Sequence, residues 1–308
     1  KVLAFIELRK FNDATHTLAV INRYFPEQLR NQELISFLNI QSGQGISESR
    51  YGASAFPKSE KKMDNYIHNK TVAVVGPAPN DLKSGGEIDK KDTIIRFNYR
   101  GVASLPPEKE SGKRTDIAYQ NGPNARAYMS ESVPGYMHDL GLYNIEVVLS
   151  EALSKDIEHS LARQQSAATG GRVQLLSHTM MAVPTVLFDI LHYAPSTITL
   201  YNCNFYLSPT PYTSAYSQHK GKGSRQQNMS KLSLYRLHEL LWAHDLITQI
   251  RFVRNLHLSG VISVDAECKK VLDLPDHAYM AQMEKLFSFT SSFHDRIVIE
   301  NDESGDKK

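Results

Sequence analysis

Cysteine is nearly missing from this chain: 308 residues contain two, Cys203 and Cys268. Two thiols cannot build the disulfide framework of a small secreted scaffold, and neither sits in a C-x-x-C or Cys/His spacing that would hold zinc. A reducing cytosol is the compartment such usage points to. Long apolar runs are also lacking. None approaches the ~18 to 20 residues of a membrane span, and the opening KVLAFIELRKF is charged too soon for a signal peptide. A dominant charge is absent as well: 35 Lys and Arg against 33 Asp and Glu leave a net +2, too weak a global field to argue for nucleic acid. The chain opens on Lys1 rather than Met, so it reads as a soluble fragment or a trimmed chain. Neither G-x-G-x-x-G nor G-x-x-x-x-G-K-[ST] occurs at a strand end, which weighs against the standard dinucleotide and P-loop sites.

What is present is an alternation. Residues 2 to about 40 carry apolar residues at helical spacing (Leu3, Ile6, Leu18, Ile21, Phe25, Leu34, Phe37, Leu38), interrupted by Pro26, and 41–60 are rich in Gly and Ser. We therefore expect a small N-terminal helical segment and linker over 1–60 and one main domain over 61–308. Within it, strands are expected at 70–76, 92–98, 115–122, 145–150, 173–177 and 196–206, with an apolar helix over 179–194 and an amphipathic helix over 231–247. Strands apolar almost throughout, alternating with helices, imply an α/β fold: a Rossmann-like, mostly parallel sheet flanked by helices. Such sheets bind ligands at the carboxyl ends of their strands, near a switch in strand order. Candidate residues are therefore sought there.

After the first strand comes Gly76-Pro77-Ala78-Pro79-Asn80. A glycine here lets a phosphate or nucleoside approach the backbone, while the plain reading is a strand-terminating turn. The second strand ends in Arg96-Phe97-Asn98. Its Asn can read a ribose or base with both donor and acceptor, and an Arg in a strand must find a partner or an exit to solvent. Gln120-Asn121-Gly122 ends the third strand, suited to a nucleotide or a sugar or simply to a turn. His178 and Thr179 follow the fifth strand and suit a phosphate or ribose. The stretch QHKGKGSRQQN (218–228) places His219, Lys220 and Arg225 on a glycine-punctuated loop. It reads either as a solvated surface loop or as a lid over phosphate. His219 and His238 are rival candidates for the general acid or base, with His178 a third. No D-x-D stands at these strand ends, and no metal is expected.

The combination V-A-V-V-G, a short loop, then Gly85-Gly86-Glu87-Ile88-Asp89-x-x-Asp92-x-Ile94-x-Arg96-x-Asn98 resembles the long motif of sialyltransferases. In that family the motif binds the CMP part of a CMP-sugar. Gly112-Lys113-Arg114-Thr115-Asp116 is similar to a following Gly-x-Arg-Thr step. The run from Val183-Pro184-Thr185 to Leu200-Tyr201-Asn202-Cys203-Asn204-Phe205-Tyr206 is similar to the family's shorter motif. The likeness covers about residues 70–250. It departs where Gly-Pro-Ala-Pro-Asn and Val-Pro-Thr replace the usual residues, and where Met229 to Leu234 hold no counterpart of a later His-x-x-x-x-Glu. The bacterial branch that uses CMP-activated keto-sugar acids, including the retaining β-Kdo transferases, is a closer match than the animal enzymes.

The resemblance implies a sialyltransferase-like fold and a glycosyltransferase that moves Kdo, or sialic acid as second choice, from CMP to a hydroxyl of a bacterial surface polysaccharide. It would do so without a metal or further cofactor. Gly76, Pro77, Ala78, Asn80, Arg96, Asn98, Asn121, Gly122, His178, Thr179, Lys220 and Arg225 would bind the donor. The enzyme would be cytoplasmic, with the inner face of the membrane reached through other domains. In the retaining branch an Asp nucleophile is expected at the end of the sixth strand, where this chain has Asn204. Either that residue is not used, or it was altered to stall the reaction, or the nucleophile is elsewhere, for example Asp116. Two rivals stand beside this reading: a nucleotide-dependent Rossmann oxidoreductase, and a non-catalytic glycan-binding or assembly module of the same fold.

Overall fold

A computed structural model describes residues 2, 5, 10–25, 34–35, 37–39, 58–79, 81–97, 99, 101, 105–120, 142–145, 162–164, 181–208 and 245–286. Its centre is a seven-stranded sheet: β1 (Thr71–Val75), β2 (Thr93–Phe97), β3 (Ile117–Gln120), β4 (Leu142–Ile145), β5 (Ala162–Gln164), β6 (Thr197–Tyr201) and β7 (Ser263–Val264). The spatial order is β5-β4-β3-β2-β1-β6-β7, and every neighbouring pair is parallel. The chain runs outward from β1 to β5, then crosses back to lay β6 on the other side of β1. The order therefore switches between β1 and β6.

The helices are α1 (Phe11–Tyr24), α2 (Lys58–Ile67), α3 (Gly85–Ile88), α4 (Glu108–Ser111), α5 (Ala182–Leu191), α6 (Leu246–Leu258), α7 (Ala266–Leu272) and α8 (Asp276–Leu286). Alternation along the strands divides the sheet residues between two faces. Ala73, Val75, Ile94 and Tyr201 meet Ile88 of α3. Val72, Val74, Ile95, Ile117, Ile198 and Leu200 join a larger cluster with Leu187 and Ile190 of α5 and with Ile250 and Val253 of α6. The N-terminal helices share that same core. Phe37 stacks on Phe252 at 5.3 Å and meets Phe188 edge-on at 6.2 Å.

Register is held at the amino ends of the strands by two aspartates placed just before them. Asp92, ahead of β2, accepts the Thr71 N–H and hydroxyl of β1, both at 2.8 Å. Those bonds hold its carboxyl below the usual value. Asp116, ahead of β3, accepts the Ile94 N–H of β2 at 2.8 Å. Each carboxylate thus ties its own strand to the one before it.

Two expected boundaries are corrected. Strand β4 starts at Leu142, ahead of the expected 145–150, of which 146–150 lie outside the described residues; the expected fifth strand, 173–177, also lies outside them, and β5 forms at Ala162–Gln164. The helix pattern over 231–247 does not run to its end: Asp245 is left-handed (φ 41°) and its side chain accepts the Thr248 N–H at 3.2 Å, capping a new helix, α6. Strand β7 and helices α7 and α8 were not anticipated.

Helix α8 is fixed to α6 by Asp276, which takes the Arg251 guanidinium at 2.5 Å and that of Arg254 at 2.7 Å. Burial pushes the Asp276 carboxyl up, but the hydrogen bonds and charges of Arg254 and Arg251 outweigh it, and the net value falls below the ordinary 3.8. A lowered folded value means the unfolded chain takes up the proton first. The contribution is therefore complete above the ordinary carboxylate value and is lost as pH falls through the folded one. Thermal melts in acid should show the unmodified chain losing stability below about pH 4 more steeply than Asp276→Asn. Parallel curves would remove this ion pair from the acid response.

Candidate functional site

The tips of β1 and β6 define the switch point. After Val75 the chain crosses at once to β6: Gly76 N–H donates to the Tyr201 carbonyl at 2.8 Å, and Ala78 N–H to the Asn202 carbonyl at 3.1 Å. Pro77 and Pro79 have no N–H to offer. A Cβ on Gly76 would fall inside the envelope of the Asn202 carbonyl oxygen and 2.5 Å from Cys203 Sγ. The close approach that this glycine permits is thus filled by the protein's own β6 tip. Its backbone lays down the floor of the crevice.

The β6 tip has an unusual backbone. Asn202, Phe205 and Tyr206 all have positive φ, at 54°, 46° and 65°. Asn tolerates that conformation; the two aromatic residues do not, so something must hold them. Asn204 to Leu207 form a turn closed by the Leu207 N–H on the Asn204 carbonyl at 2.9 Å, with consecutive left-handed residues at its centre. The Asn204 side chain supports it, Oδ1 accepting the Tyr206 N–H at 3.1 Å.

From α8, the Tyr279 hydroxyl donates to the Phe205 carbonyl at 2.8 Å. Burial pushes the Tyr279 phenol up, so it remains a donor at neutral pH. Asn202 is held from below: its N–H donates to Asp265 Oδ2 at 2.7 Å, and Oδ1 of the same carboxylate caps α7 through the Cys268 N–H at 2.7 Å. The Cys268 thiol donates to the Cys203 carbonyl at 3.0 Å. Burial pushes that thiol up and keeps it protonated.

Removing the Tyr279 hydroxyl should release this turn. Tyr279→Phe is expected to cost about 1 to 2 kcal/mol in urea unfolding, since it orphans a buried carbonyl in a left-handed turn. An unchanged midpoint would mean the turn holds itself.

Sequence-derived candidates divide clearly in space. Gly76, Pro77, Ala78 and Asn204 lie together at the switch point. Val75 pairs with Arg96 and Arg96 with Ala118, so the carboxyl ends of β1, β2 and β3 lie side by side on one edge. Two strand spacings, about 10 Å, separate the first tip from the third. Asn80, Asn98, Asn121, Gly122, His178, Thr179, His219, Lys220, Arg225 and His238 lie outside the described residues.

Arg96 turns away from the crevice. It is 3% exposed; its Nε donates to the Arg114 carbonyl (3.1 Å) and Thr115 Oγ1 (3.0 Å), and its Nη2 to the Ser111 carbonyl (2.6 Å). Burial lowers its pKa to about 10, against the charges of Asp89, Tyr99 and Asp116, so it stays cationic at neutral pH. A donor-binding role for Arg96 gives way to a bracing one. Asp116 does not join the site either: it sits at the amino end of β3, bound to Ile94 N–H and, at 3.2 Å, to the Arg114 guanidinium. Sheets of this kind bind ligands at the opposite, carboxyl edge.

Sequence reasoning passed over Asp265, Glu87 and Tyr201 as individual contributors. Asp265 immediately before an apolar periodic run is an N-cap signal that could have pointed to the first. Tyr201 donates to Glu87 Oε1 at 2.5 Å, joining β6 to α3 beside the crevice, and burial pushes the phenol up. No local pattern announces that pair. Among the described residues no group of three or more His, Cys, Asp or Glu could hold a metal ion, and no helix is long and apolar enough to cross a membrane. Compared with known proteins, the chain matches no family model and no curated relative.

Proposed function

We propose that this chain is a glycosyltransferase that takes a keto-sugar acid from a CMP-activated donor, Kdo before sialic acid, and passes it to a hydroxyl of a surface glycan. The observation that carries this reading is the shared edge formed by the tips of β1, β2, β3 and β6, because the motifs resembling those of CMP-sugar enzymes end at these tips. Left-handed residues at the β6 tip support it: strained backbone collects where a site needs a fixed shape, and here it borders the switch point. CMP leaves readily as an anion, so hydroxyl and cationic donors suffice to offset the departing charge.

In this reading the cytidine lies across the β1 to β3 tips and the sugar lies toward Asn204. Asn204 Oδ1 accepts a backbone N–H, and a carboxylate can keep that bond. Asn204→Asp should therefore fold normally while presenting the nucleophile that the retaining branch requires. A glycan-binding module of the same fold is the second reading, favoured by the amide that Asn204 commits to its turn.

Calorimetric titration with CMP, CDP and NAD is the first test. CMP binding at micromolar Kd with no response to NAD is the expected result; NAD binding in place of CMP would replace the proposal with the oxidoreductase reading. Intact mass spectrometry with CMP-Kdo or CMP-sialic acid follows, and a sugar-sized adduct is expected on Asn204→Asp alone. Donor hydrolysis by the unmodified chain separates an enzyme from a binding module.

A further inference from the structure

On the far side of the larger core, α1 and the helical residues 34, 35 and 37–39 face each other without closing. Leu18, Ala19, Asn22 and Arg23 lie on one stripe of α1, at the i, i+1, i+4 and i+5 positions of adjacent turns, and Ile35 and Leu38 lie opposite. Between them is a mostly apolar cleft of about 360 Å³, within the range of small-molecule sites. Ala19 is too small to fill it.

One polar atom at this cleft is out of place. Asn22 Oδ1 is buried and accepts no hydrogen bond, one of two such side-chain atoms among the described residues. A buried acceptor without a donor is costly, and native structures rarely keep one unless water or a ligand supplies the donor.

We propose that the cleft binds an aliphatic alcohol: the chain lies between Leu18, Ile35 and Leu38, and the hydroxyl donates to Asn22 Oδ1. Thr15, Asn22, Arg23 and Asn39 are the polar residues on the wall, and the head group follows from the buried, unpartnered acceptor, Asn22 Oδ1, and the cation beside it. Asn22 Oδ1 needs a donor, and the exposed Arg23 guanidinium beside it is a donor that an acceptor on the ligand can meet. A hydroxyl is both. An alkylammonium would satisfy Asn22 and be repelled by Arg23; a carboxylate would satisfy Arg23 and set another acceptor against Asn22. This site does not depend on the nucleotide reading.

The test uses the full chain, 1-octanol and its methyl ether, which keeps the chain but has no donor. Methyl shifts of Leu18, Ala19, Ile35 and Leu38 are followed by NMR. Saturable octanol binding is expected, with the ether about five- to tenfold weaker. Ala19→Phe should abolish octanol binding by filling the cleft, and Asn22→Leu should bring octanol and ether to equal affinity. No saturable shift with octanol, equal binding of octanol and ether to the unmodified chain, or octanol binding untouched by Asn22→Leu would each overturn the proposal. The comparison of the two ligands on the unmodified chain stands even if Ala19→Phe fails to fold.

Discussion

Gly76→Ala is expected to lower the stability of the protein by about 3 kcal/mol, read as a shift of the urea midpoint at constant slope. One methyl group is enough because of what it meets. Cys203 Sγ, 2.5 Å from the added carbon, can rotate away, but the Asn202 carbonyl cannot. That residue is left-handed, its N–H is bound to Asp265, and its carbonyl accepts from Ala78. The β1 and β6 tips must then part and lose the Gly76 and Ala78 hydrogen bonds. Under the proposed function CMP affinity should fall at least tenfold as well, since the crevice floor moves. A variant with an unchanged midpoint would mean that the two tips lie far enough apart to admit a methyl group.

Arg96→Met is expected to cost about 3 kcal/mol and to leave any nucleotide affinity that survives folding within about twofold. The guanidinium serves the carbonyl of Ser111 at the end of α4 and a carbonyl and a hydroxyl in the loop from α4 to β3, and a thioether would leave both carbonyls without their donor. Arg96→Lys should rescue little, because one ammonium cannot reproduce the planar fork that reaches Ser111 on one side and Arg114 with Thr115 on the other. The opposite pattern, full stability with lost CMP binding, would return Arg96 to the donor site that its place in the motif suggests.

Arg96 also shows how far local pattern reaches. Its strand was legible, since TIIRF is β-branched or aromatic at every position but Arg96 and the run is bounded by Asp92 and Asn98. An Arg inside such a strand has to be partnered, and that much follows from desolvation. Which partner it finds depends on a loop 15 to 19 residues later folding back over the sheet. The same applies to Gly76. Its place at a strand end marked it as a point of close approach; the group that makes the approach comes from β6, more than a hundred residues on. Asp116 was read for its chemistry alone, although the expected strand over 115–122 in a parallel sheet already placed it at an amino end; the parallel pairings put that end opposite the β1 and β6 tips.

Strands β1, β2, β3 and β6, the apolar helix α5 and the α/β class were all determined by the sequence alone, because hydrophobic period and strand-ending residues act within a window of a few residues. Tertiary structure decided the rest. It placed β6 beside β1 rather than beside β5, merged the N-terminal helices into one core through Phe37, Phe188 and Phe252, and turned Asp92, Asp116, Arg96 and Asp265 into clamps. The physical reason is range. A residue's own neighbours set its backbone, while the partner of a buried charge, a glycine or a left-handed turn comes from wherever the chain returns to cover it.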